Sequence, residues 1–382
     1  LASGEVDPQE RAAEASVFRM QKRRAVYRDG LGSVLLPKGS DLPPNMTAPA
    51  RNRVPLPLPY PFGSAPPRDT VFPEVDYTQL KKGIDQAFSD PTLQRTRTVA
   101  ILYRDHLMAE RYVEGFGPNT PVLGWSMTKS VLATLYGILE YQGRLEVSRA
   151  VPIPTWQGDG RKDITYDDLL RMQSALAWEE DYSGISDVTR MLFLSPDMAS
   201  IQADKELLGP PGSLWNYSSG TSNLLSGLLR REFENDQDYL DFPYRELVDR
   251  IGMHSMVLET DLSGNFVGSS YGWASTRDWG RFGLLYLHRG HWAGTQVFDS
   301  TWVDYITRPT VNSDGGYGAH FWLNRDGKYP DAPQDMYMAN GYQGQHVFIV
   351  PSKNLVIVRT GLAEGPDFDG NAFLREVLKA FP

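Results

Sequence analysis

The sequence contains no cysteine in its 382 residues. This absence excludes disulfides, thiolate metal sites and a cysteine nucleophile, and it is compatible with periplasmic, secreted and cytoplasmic locations alike. Basic residues are outnumbered by acidic ones. The sequence has 38 Lys and Arg against 47 Asp and Glu, which gives a net charge of −9. No basic excess is available to neutralise phosphates, so we expect no nucleic-acid partner. No apolar run reaches the roughly 20 residues of a membrane span, and we expect no such span.

Histidine is rare too, and its placement does not favour a metal site. His288 and His291 straddle a predicted helix end without a nearby carboxylate, unlike the paired histidines of helical zinc sites. The glycine-rich segment 315–318 lacks the Lys-Ser/Thr of a phosphate-binding loop and the strand-to-helix setting of a dinucleotide fold. We therefore expect neither a metal nor another cofactor.

Apolar residues are abundant enough for a large core, at 41% hydrophobic and 22% charged. The chain also exceeds the length of about 250–300 residues at which single cores stop growing, so we predict two lobes. Residues 1–30 are polar and helix-prone, which predicts an arm. Prolines crowd residues 42–73, which predicts an extended segment that is either a clamp across the body or a plain linker.

Hydrophobic patterning predicts strands towards both ends of the remaining chain and helices between them. The predicted strands are 98–103, 107–113, 318–323, 346–350 and 355–360. The predicted helices are 77–88, one that opens at 126, one that opens at 165–168, 223–233, 275–290 and 374–381. This order predicts one αβ lobe built from both ends of the chain and an inserted helical lobe.

A serine and a lysine three residues apart form the most informative chemical motif. Ser126-Met-Thr-Lys129 opens a predicted helix, where residues at this spacing share one face and lie within hydrogen-bonding reach. A buried lysine loses its proton easily, and a neutral amine can activate a serine hydroxyl as a nucleophile. A Ser-His-Asp triad is the rival interpretation, but the segment 124–128 lacks the second glycine of the turn on which such a serine usually sits.

Two tyrosines on turn-rich loops are candidates to act with this serine. Tyr217 precedes a predicted helix, and a phenol beside an ammonium can be held as a phenolate that serves as general base. A core or turn role is the alternative for Tyr217. Tyr182 lies on a second loop, where we interpret the neighbouring Glu180 and Asp181 as solvated charges.

A third segment, Asn340-Gly-Tyr-Gln-Gly-Gln345-His, precedes a predicted strand hairpin. Its glycines at 341 and 344 let a backbone approach a ligand closely, as an oxyanion-binding strand edge requires. An ordinary glycine-containing turn is the alternative.

Taken in order, these motifs resemble those of the serine β-lactamase-like hydrolases, which include class C β-lactamases, their esterase relatives and the nylon-oligomer (6-aminohexanoate-dimer) hydrolases. The resemblance rests on Ser126-x-x-Lys129, Tyr217-Ser-Ser219 and Tyr342-Gln-Gly344, and it covers roughly residues 75–382. It implies an α+β fold, an αβ sandwich of the β-lactamase/transpeptidase type in which helices flank an antiparallel sheet beside an inserted all-helical lobe.

We divide the chain accordingly into three parts. Residues 1–74 form the N-terminal arm and proline-rich segment, and residues 75–125 with 265–382 form the αβ lobe. Residues 126–264 form a mainly helical lobe that carries the nucleophile helix.

The resemblance also implies roles for individual residues. Ser126 is the acylated nucleophile, and Lys129 lowers its pKa and shuttles its proton. Tyr217 is the general base and acid, and the backbone N–H groups of Ser126 and Gln345 form the oxyanion hole. Tyr182 looks like the loop tyrosine that the nylon-oligomer hydrolases use to bind the substrate amide. The further substrate-binding candidates are Ser219, Tyr342 and Gly344.

Two departures from the β-lactamase pattern narrow the expected substrate. β-Lactamases have Tyr-x-Asn and Lys-Thr-Gly where this chain has Tyr217-Ser-Ser219 and Tyr342-Gln-Gly344. The missing Asn and Lys serve recognition of the β-lactam amide and carboxylate, and a tyrosine cannot supply the point charge that holds a carboxylate. We therefore predict a serine hydrolase that forms an acyl-enzyme with a small carboxylic ester or linear amide. The alternatives are a β-lactamase or D-Ala-D-Ala carboxypeptidase and, in another class, a non-catalytic penicillin-binding-like scaffold.

Overall fold

The computed structural model describes residues 3–16, 23–37, 40, 42 and 47–382. Its strands are β1 (Ser3–Asp7), β2 (Ala12–Ser16), β3 (Arg23–Arg28), β4 (Gly32–Leu36), β5 (Thr96–Tyr103), β6 (His106–Tyr112), β7 (Pro121–Leu123), β8 (Val257–Leu258), β9 (Gly272–Ser275), β10 (His291–Trp292), β11 (Thr295–Gln296), β12 (Trp322–Leu323), β13 (Tyr337–Gly341), β14 (Gln345–Val350) and β15 (Leu355–Gly361). Its α-helices are α1 (Tyr77–Ala87), α2 (Met127–Tyr141), α3 (Tyr166–Leu170), α4 (Asp187–Leu194), α5 (Ser200–Ala203), α6 (Ser219–Arg230), α7 (Asp236–Pro243), α8 (Thr276–Leu287), α9 (Thr301–Thr307) and α10 (Gly370–Leu378).

The fold is built on an antiparallel sheet of six strands in the order β12-β13-β14-β15-β5-β6. Its strands come from both ends of the chain, as the patterning predicts. Residues of β14 and β15 are buried along their whole length because helices cover both faces. Helices α1 and α10 pack on one face, where Leu80 and Phe373 meet Ile101. Helices α2 and α8 pack on the other.

Helix α2 runs through the interior of the molecule. Every residue from Met127 to Leu139 is buried, which explains why apolar residues occur all round this helix. Helices α3, α6 and α7 share the core in which it lies.

The predicted boundaries of the helical lobe, at residues 126 and 264, stay a prediction. Among the described residues, no helix combines the length and the apolar character that crossing a bilayer requires.

The prediction of a helix-prone arm over residues 1–30 is wrong for the described part of that range. Strands β1 to β4 form an antiparallel sheet instead, with Ala12, Val26 and Val34 in its small core. Each strand pairs antiparallel with the next one along the chain, and this pairing overrides the helix propensity of the individual residues. Arg28 fastens this sheet to the body because its guanidinium donates to the carbonyl oxygen of Thr260 at 2.5 Å.

The proline-rich segment acts as a clamp rather than a plain linker near residues 60–63. Tyr60 is buried, and its hydroxyl donates to the carbonyl oxygen of Arg277 in α8 at 2.9 Å. Arg281 of the same helix donates to the carbonyl oxygens of Pro61 and Gly63 at 2.8 and 2.7 Å. Pro43 and Pro44 lie outside the described residues.

Candidate active site

A sharp turn presents Ser126 at the start of α2. Trp125 has a φ of +48°, a left-handed conformation that redirects the chain from β7 into the helix. Gly124 is required beside it, because a Cβ there would lie 2.4 Å from the Trp279 ring. The Gly124 N–H donates to the carbonyl oxygen of Gly272 at 2.8 Å and fixes the turn. Ser126 is half-buried, and its side chain does not cap the helix, so the hydroxyl is available for chemistry.

Lys129 lies beneath Ser126 and is almost fully buried. Its Nζ lies 3.0 Å from Ser126 Oγ, 3.0 Å from Ser219 Oγ and 2.9 Å from the carbonyl oxygen of Ser269. Burial lowers the pKa of Lys129 to about 8, and the carboxylate of Glu180 opposes this shift. A large neutral fraction therefore exists near pH 8, which makes the amine a base matched to the Ser126 hydroxyl.

Tyr217 lies beside these two residues but is not held as a phenolate. Lys129 Nζ lies over the face of the phenol ring, 4.9 Å from its centroid. Burial raises the pKa of Tyr217 well above its ordinary value, and a side-chain hydrogen bond with Ser126 opposes the shift only in part. The phenol therefore stays protonated near neutral pH. This environment does not favour a resting phenolate, and the role of Tyr217 as general base and acid stays a prediction.

Ser219 and Glu180 extend the cluster behind Lys129. Ser219 is buried at the start of α6, and its hydroxyl donates to Glu180 Oε1 at 2.5 Å while its N–H donates to Glu180 Oε2 at 2.9 Å. Trp178 Nε1 and the Tyr182 hydroxyl also donate to this carboxylate, at 2.5 and 2.9 Å. The interpretation of Glu180 as a solvated charge is therefore wrong, whereas Asp181 is exposed. The sequence does carry one signal for this buried role of Glu180, because Trp178 and Tyr182 each lie two residues away from it.

The β13–β14 hairpin packs against the turn before Ser126, where Gly341 meets Gly124. A Cβ on Gly341 would lie 2.1 Å from the carbonyl oxygen of Gly124, so the end of β13 touches the turn that carries Ser126. Tyr342 follows at the rim and is 40% exposed. Its ring lies 5.7 Å from the ring of Trp125, edge to face.

Gly344 and Gln345 shape the rest of this hairpin. The space beside Gly344 is filled by Arg359 and by the carbonyl oxygen of Ala363, so its missing side chain allows close packing within the protein. That finding differs from the expected close approach to a ligand. The side-chain amide of Gln345 donates through Nε2 to the carbonyl oxygens of Gly361 and Tyr342 at 2.6 and 3.0 Å. These bonds hold the backbone of residue 345 in place.

Arg359 is a cation next to this hairpin, and its side chain is bound within the protein interior. Its side chain is fully buried and donates to the carbonyl oxygens of Gln343, Gly344 and Ala363 at 3.3, 2.8 and 2.8 Å. A further nitrogen donates to the carbonyl oxygen of Gln94 at 2.7 Å. Arg359 therefore supports the loop and does not replace the missing lysine as a site for a substrate carboxylate.

Aromatic rings line both sides of the catalytic cluster. On one side Tyr182 stacks on Tyr342 with centroids 5.4 Å apart, and Trp125 meets the ring of Tyr271 at 6.2 Å. On the other side the ring of Tyr217 lies 5.3 Å from that of Trp322. No sequence motif predicts a place in the site for Trp125, Tyr271 or Trp322. Such surroundings are suited to neutral, apolar substrate groups.

Histidine has no part in this cluster. His320 is bound to the carbonyl oxygen of Leu170 at 2.6 Å and to Ser222 Oγ at 2.9 Å, and burial lowers its pKa to about 3. His288 Nε2 lies 2.7 Å from Asp105 Oδ1, far along the chain from Ser126. The Ser-His-Asp interpretation therefore gains no support. Within the described ranges, no group of three or more His, Asp or Glu side chains is arranged to hold a metal ion.

Comparison with known proteins gives one family match. A sequence model of the family described as Beta-lactamase matches residues 92–378. A putative 6-aminohexanoate-dimer hydrolase from Bacillus anthracis is similar in structure, with 19% identity, coverage of 79% of this chain and 80% of that chain, and a TM-score of 0.63.

Two further solved structures have the same fold. A family VIII carboxylesterase shares 14% identity, with 83% of this chain and 99% of that chain covered and a TM-score of 0.64. A penicillin-binding protein homolog from Caulobacter crescentus shares 17% identity, with coverage of 78% and 95% and a TM-score of 0.64. These similarities confirm the α+β fold in which helices flank an antiparallel sheet.

Proposed function

This chain belongs to the beta-lactamase family, whose wider superfamily consists of serine hydrolases, and we propose that it hydrolyses small neutral carboxylic esters through an acyl-enzyme on Ser126. The observation that carries the proposal is the buried amine of Lys129, 3.0 Å from Ser126 Oγ and with a pKa lowered to about 8. A base with that pKa, in direct contact with a serine hydroxyl, is what nucleophilic catalysis near neutral pH requires.

In acylation the neutral Lys129 amine takes the proton of Ser126, and Oγ attacks the ester carbonyl carbon. The backbone N–H groups of Ser126 and Gln345 receive the negative charge that develops on the carbonyl oxygen. The C–O bond to the alcohol then breaks, and the Tyr217 phenol donates its proton to the leaving alkoxide. The proton held on Lys129 restores the phenol, so the step releases one alcohol and leaves an ester of Ser126.

In deacylation water takes the place of the alcohol. Its proton passes to the same basic cluster, its oxygen attacks the acyl carbon, and Ser126 Oγ leaves with a proton from Lys129. The products are the carboxylic acid and the regenerated hydroxyl. The full cycle consumes one ester and one water and releases one alcohol and one carboxylic acid.

A linear amide is the second candidate substrate. Tyr182 stacks on Tyr342 at the rim, and the similar fold of a putative 6-aminohexanoate-dimer hydrolase supports this candidate. The Tyr182 hydroxyl donates to Glu180 in this structure, so it would have to exchange partners to hold an amide. Esters need less leaving-group activation and are the first choice.

The remaining alternatives have less support. β-Lactams and D-Ala-D-Ala peptides carry a carboxylate, whereas Tyr342 replaces the lysine and Arg359 is fully engaged with backbone carbonyls. A non-catalytic scaffold gains nothing from a buried Lys129 whose charged form is disfavoured by the fold.

The test is turnover of p-nitrophenyl butyrate by wild type and by Ser126→Ala. We expect the variant to lose more than about 1000-fold in kcat/KM, as nucleophile removal does in other serine hydrolases. Ser300→Ala is a matched control, since Ser300 also precedes a helix without capping it and is exposed. Equal turnover by Ser126→Ala and wild type would refute the proposal, as would an inactive wild type.

A further inference from the structure

We propose that Glu180 is a positioning residue that acts through Ser219 to aim the lone pair of Lys129 at Ser126. The inference rests on the proposed function, because it assigns Lys129 the role of base. It concerns a residue that makes no contact with Ser126 and that the sequence motifs leave without a role.

The direction of each hydrogen bond follows from Glu180. An ionised carboxylate only accepts hydrogen bonds, so the hydroxyl of Ser219 must donate to it across their 2.5 Å contact. With its proton committed in that direction, Ser219 Oγ presents only lone pairs to Lys129 Nζ at 3.0 Å. The carbonyl oxygen of Ser269, 2.9 Å from Nζ, is likewise an acceptor only.

These two acceptors orient the amine. A neutral lysine amine has two N–H bonds and one lone pair, and Ser219 Oγ and Ser269 O take the two N–H bonds. The lone pair of Lys129 is then left for its third neighbour, Ser126 Oγ, whose proton it must accept. Without Glu180 the Ser219 hydroxyl can rotate and donate to Lys129 itself, in competition with Ser126.

The carboxylate is held firmly enough for this role. Four donors converge on its two oxygens, namely Trp178 Nε1, Tyr182 Oη, and the N–H and hydroxyl of Ser219. The negative charge of Glu180 also raises the pKa of the buried Lys129, against the effect of burial. Glu180 thus sets both the direction in which the amine accepts a proton and the pH at which it becomes able to do so.

Glu180→Gln is the test. The glutamine side chain keeps the shape of the glutamate but accepts hydrogen bonds at one oxygen only, and its NH₂ group faces donors that the second carboxylate oxygen binds in wild type. We expect kcat for p-nitrophenyl butyrate to fall about 100-fold, within the range of general-base contributions. The acid limb of the pH–kcat/KM profile should move about one unit to lower pH, since the nearby negative charge is lost. Glu179→Gln, a change in the exposed neighbour, should alter neither quantity.

A second readout separates the inference from the proposed function. NMR of ¹⁵N-labelled lysine, with the Lys129 signal assigned by Lys129→Met, measures the pKa of Lys129 without any substrate. If wild type hydrolyses no ester but Glu180→Gln lowers this pKa, the proposed function fails and the coupling between Glu180 and Lys129 stands. If wild type is active and Glu180→Gln changes neither the rate nor the pH limb, the inference is wrong and the function stands.

Ser219→Ala keeps the inference testable should Glu180→Gln not fold. It removes the link while leaving the carboxylate in place, and we expect a similar loss in kcat. Because Ser219→Ala keeps the charge of Glu180, its readout is kcat. A purely structural role for the pair would raise KM or lower the melting temperature and would leave kcat unchanged, and that result would overturn the inference.

Discussion

At the scale of single residues, Lys129 is both the proposed base and a cost in stability. Its pKa falls from 10.5 to about 8 because the charged amine is buried, which corresponds to about 3 kcal/mol of free energy. The same burial that makes the amine a base therefore opposes folding wherever the lysine is charged. Contacts with Ser219 and Ser269 offset part of this cost.

This cost predicts a pH-dependent difference in stability between wild type and Lys129→Met. Between about pH 8 and pH 10.5 the unfolded lysine holds a proton that the folded one has released, so wild-type stability rises with pH across that window. We expect the free energy of unfolding of wild type to gain about 3 kcal/mol relative to the variant. Urea denaturation of both proteins across this range measures it, and parallel curves would contradict the account.

At the scale of elements, two segments must meet for the site to exist. The turn before α2 carries Ser126, and the end of β13 leads to residue 345, whose backbone N–H completes the proposed oxyanion hole. Their contact is the close approach of Gly341 to the carbonyl oxygen of Gly124. Any side chain at 341 separates the nucleophile from the strand edge.

We therefore expect Gly341→Ala to lower kcat about 100-fold with the fold retained, since displacements of about 1 Å have effects of this size. Gly158→Ala is the matched control, because a Cβ at 158 meets nothing within 4 Å. Ester kinetics with circular dichroism on both variants provide the measurement. Unchanged kcat in Gly341→Ala would show that the contact does not position the site.

Some contacts of the site can be predicted from the sequence alone, and others depend on the fold. Ser126 and Lys129 are three residues apart, so helical geometry places them together without knowledge of the fold. Glu180 and Ser219 are 39 positions apart, and only the folded chain brings that carboxylate beneath the lysine. The N-terminal strands were missed for another reason: they pair with their neighbours along the chain, and residue propensities alone do not show that pairing.

At the scale of the whole molecule, charge and surface chemistry bear on the proposed choice of substrate. The chain carries a net charge of −9, and aromatic rings line the Ser126–Lys129 cluster, with the exposed Lys328 amine 5.6 Å from the centroid of the Trp322 ring. Arg359, the cation beside the third motif, is fully buried and bound to carbonyl oxygens. An anionic substrate thus meets no favourable long-range field, and Arg359 offers it no local partner.

This arrangement predicts that p-nitrophenyl butyrate is hydrolysed at least about tenfold more efficiently than the anionic mono-p-nitrophenyl succinate, a difference of about 1.4 kcal/mol. Tyr342→Lys should lower the ratio of kcat/KM for the neutral ester to kcat/KM for the anionic ester about fivefold. An exposed ion pair between the new lysine and the succinate carboxylate, of about 1 kcal/mol, accounts for a change of that size. Tyr141→Lys adds the same charge at the far end of α2 and should leave the ratio unchanged. A preference of wild type for the anionic ester, or for nitrocefin, would contradict the assignment.

The most direct test of the central claim is covalent capture of the nucleophile. Wild type and Ser126→Ala are incubated with a fluorophosphonate and analysed by intact mass and peptide mapping. The account predicts one adduct per wild-type chain, on Ser126, formed faster as pH rises through about 8 where Lys129 becomes neutral. It predicts no adduct on the variant. An adduct on another side chain, or equal labelling of both proteins, would contradict the claim that Ser126 is the acylated residue.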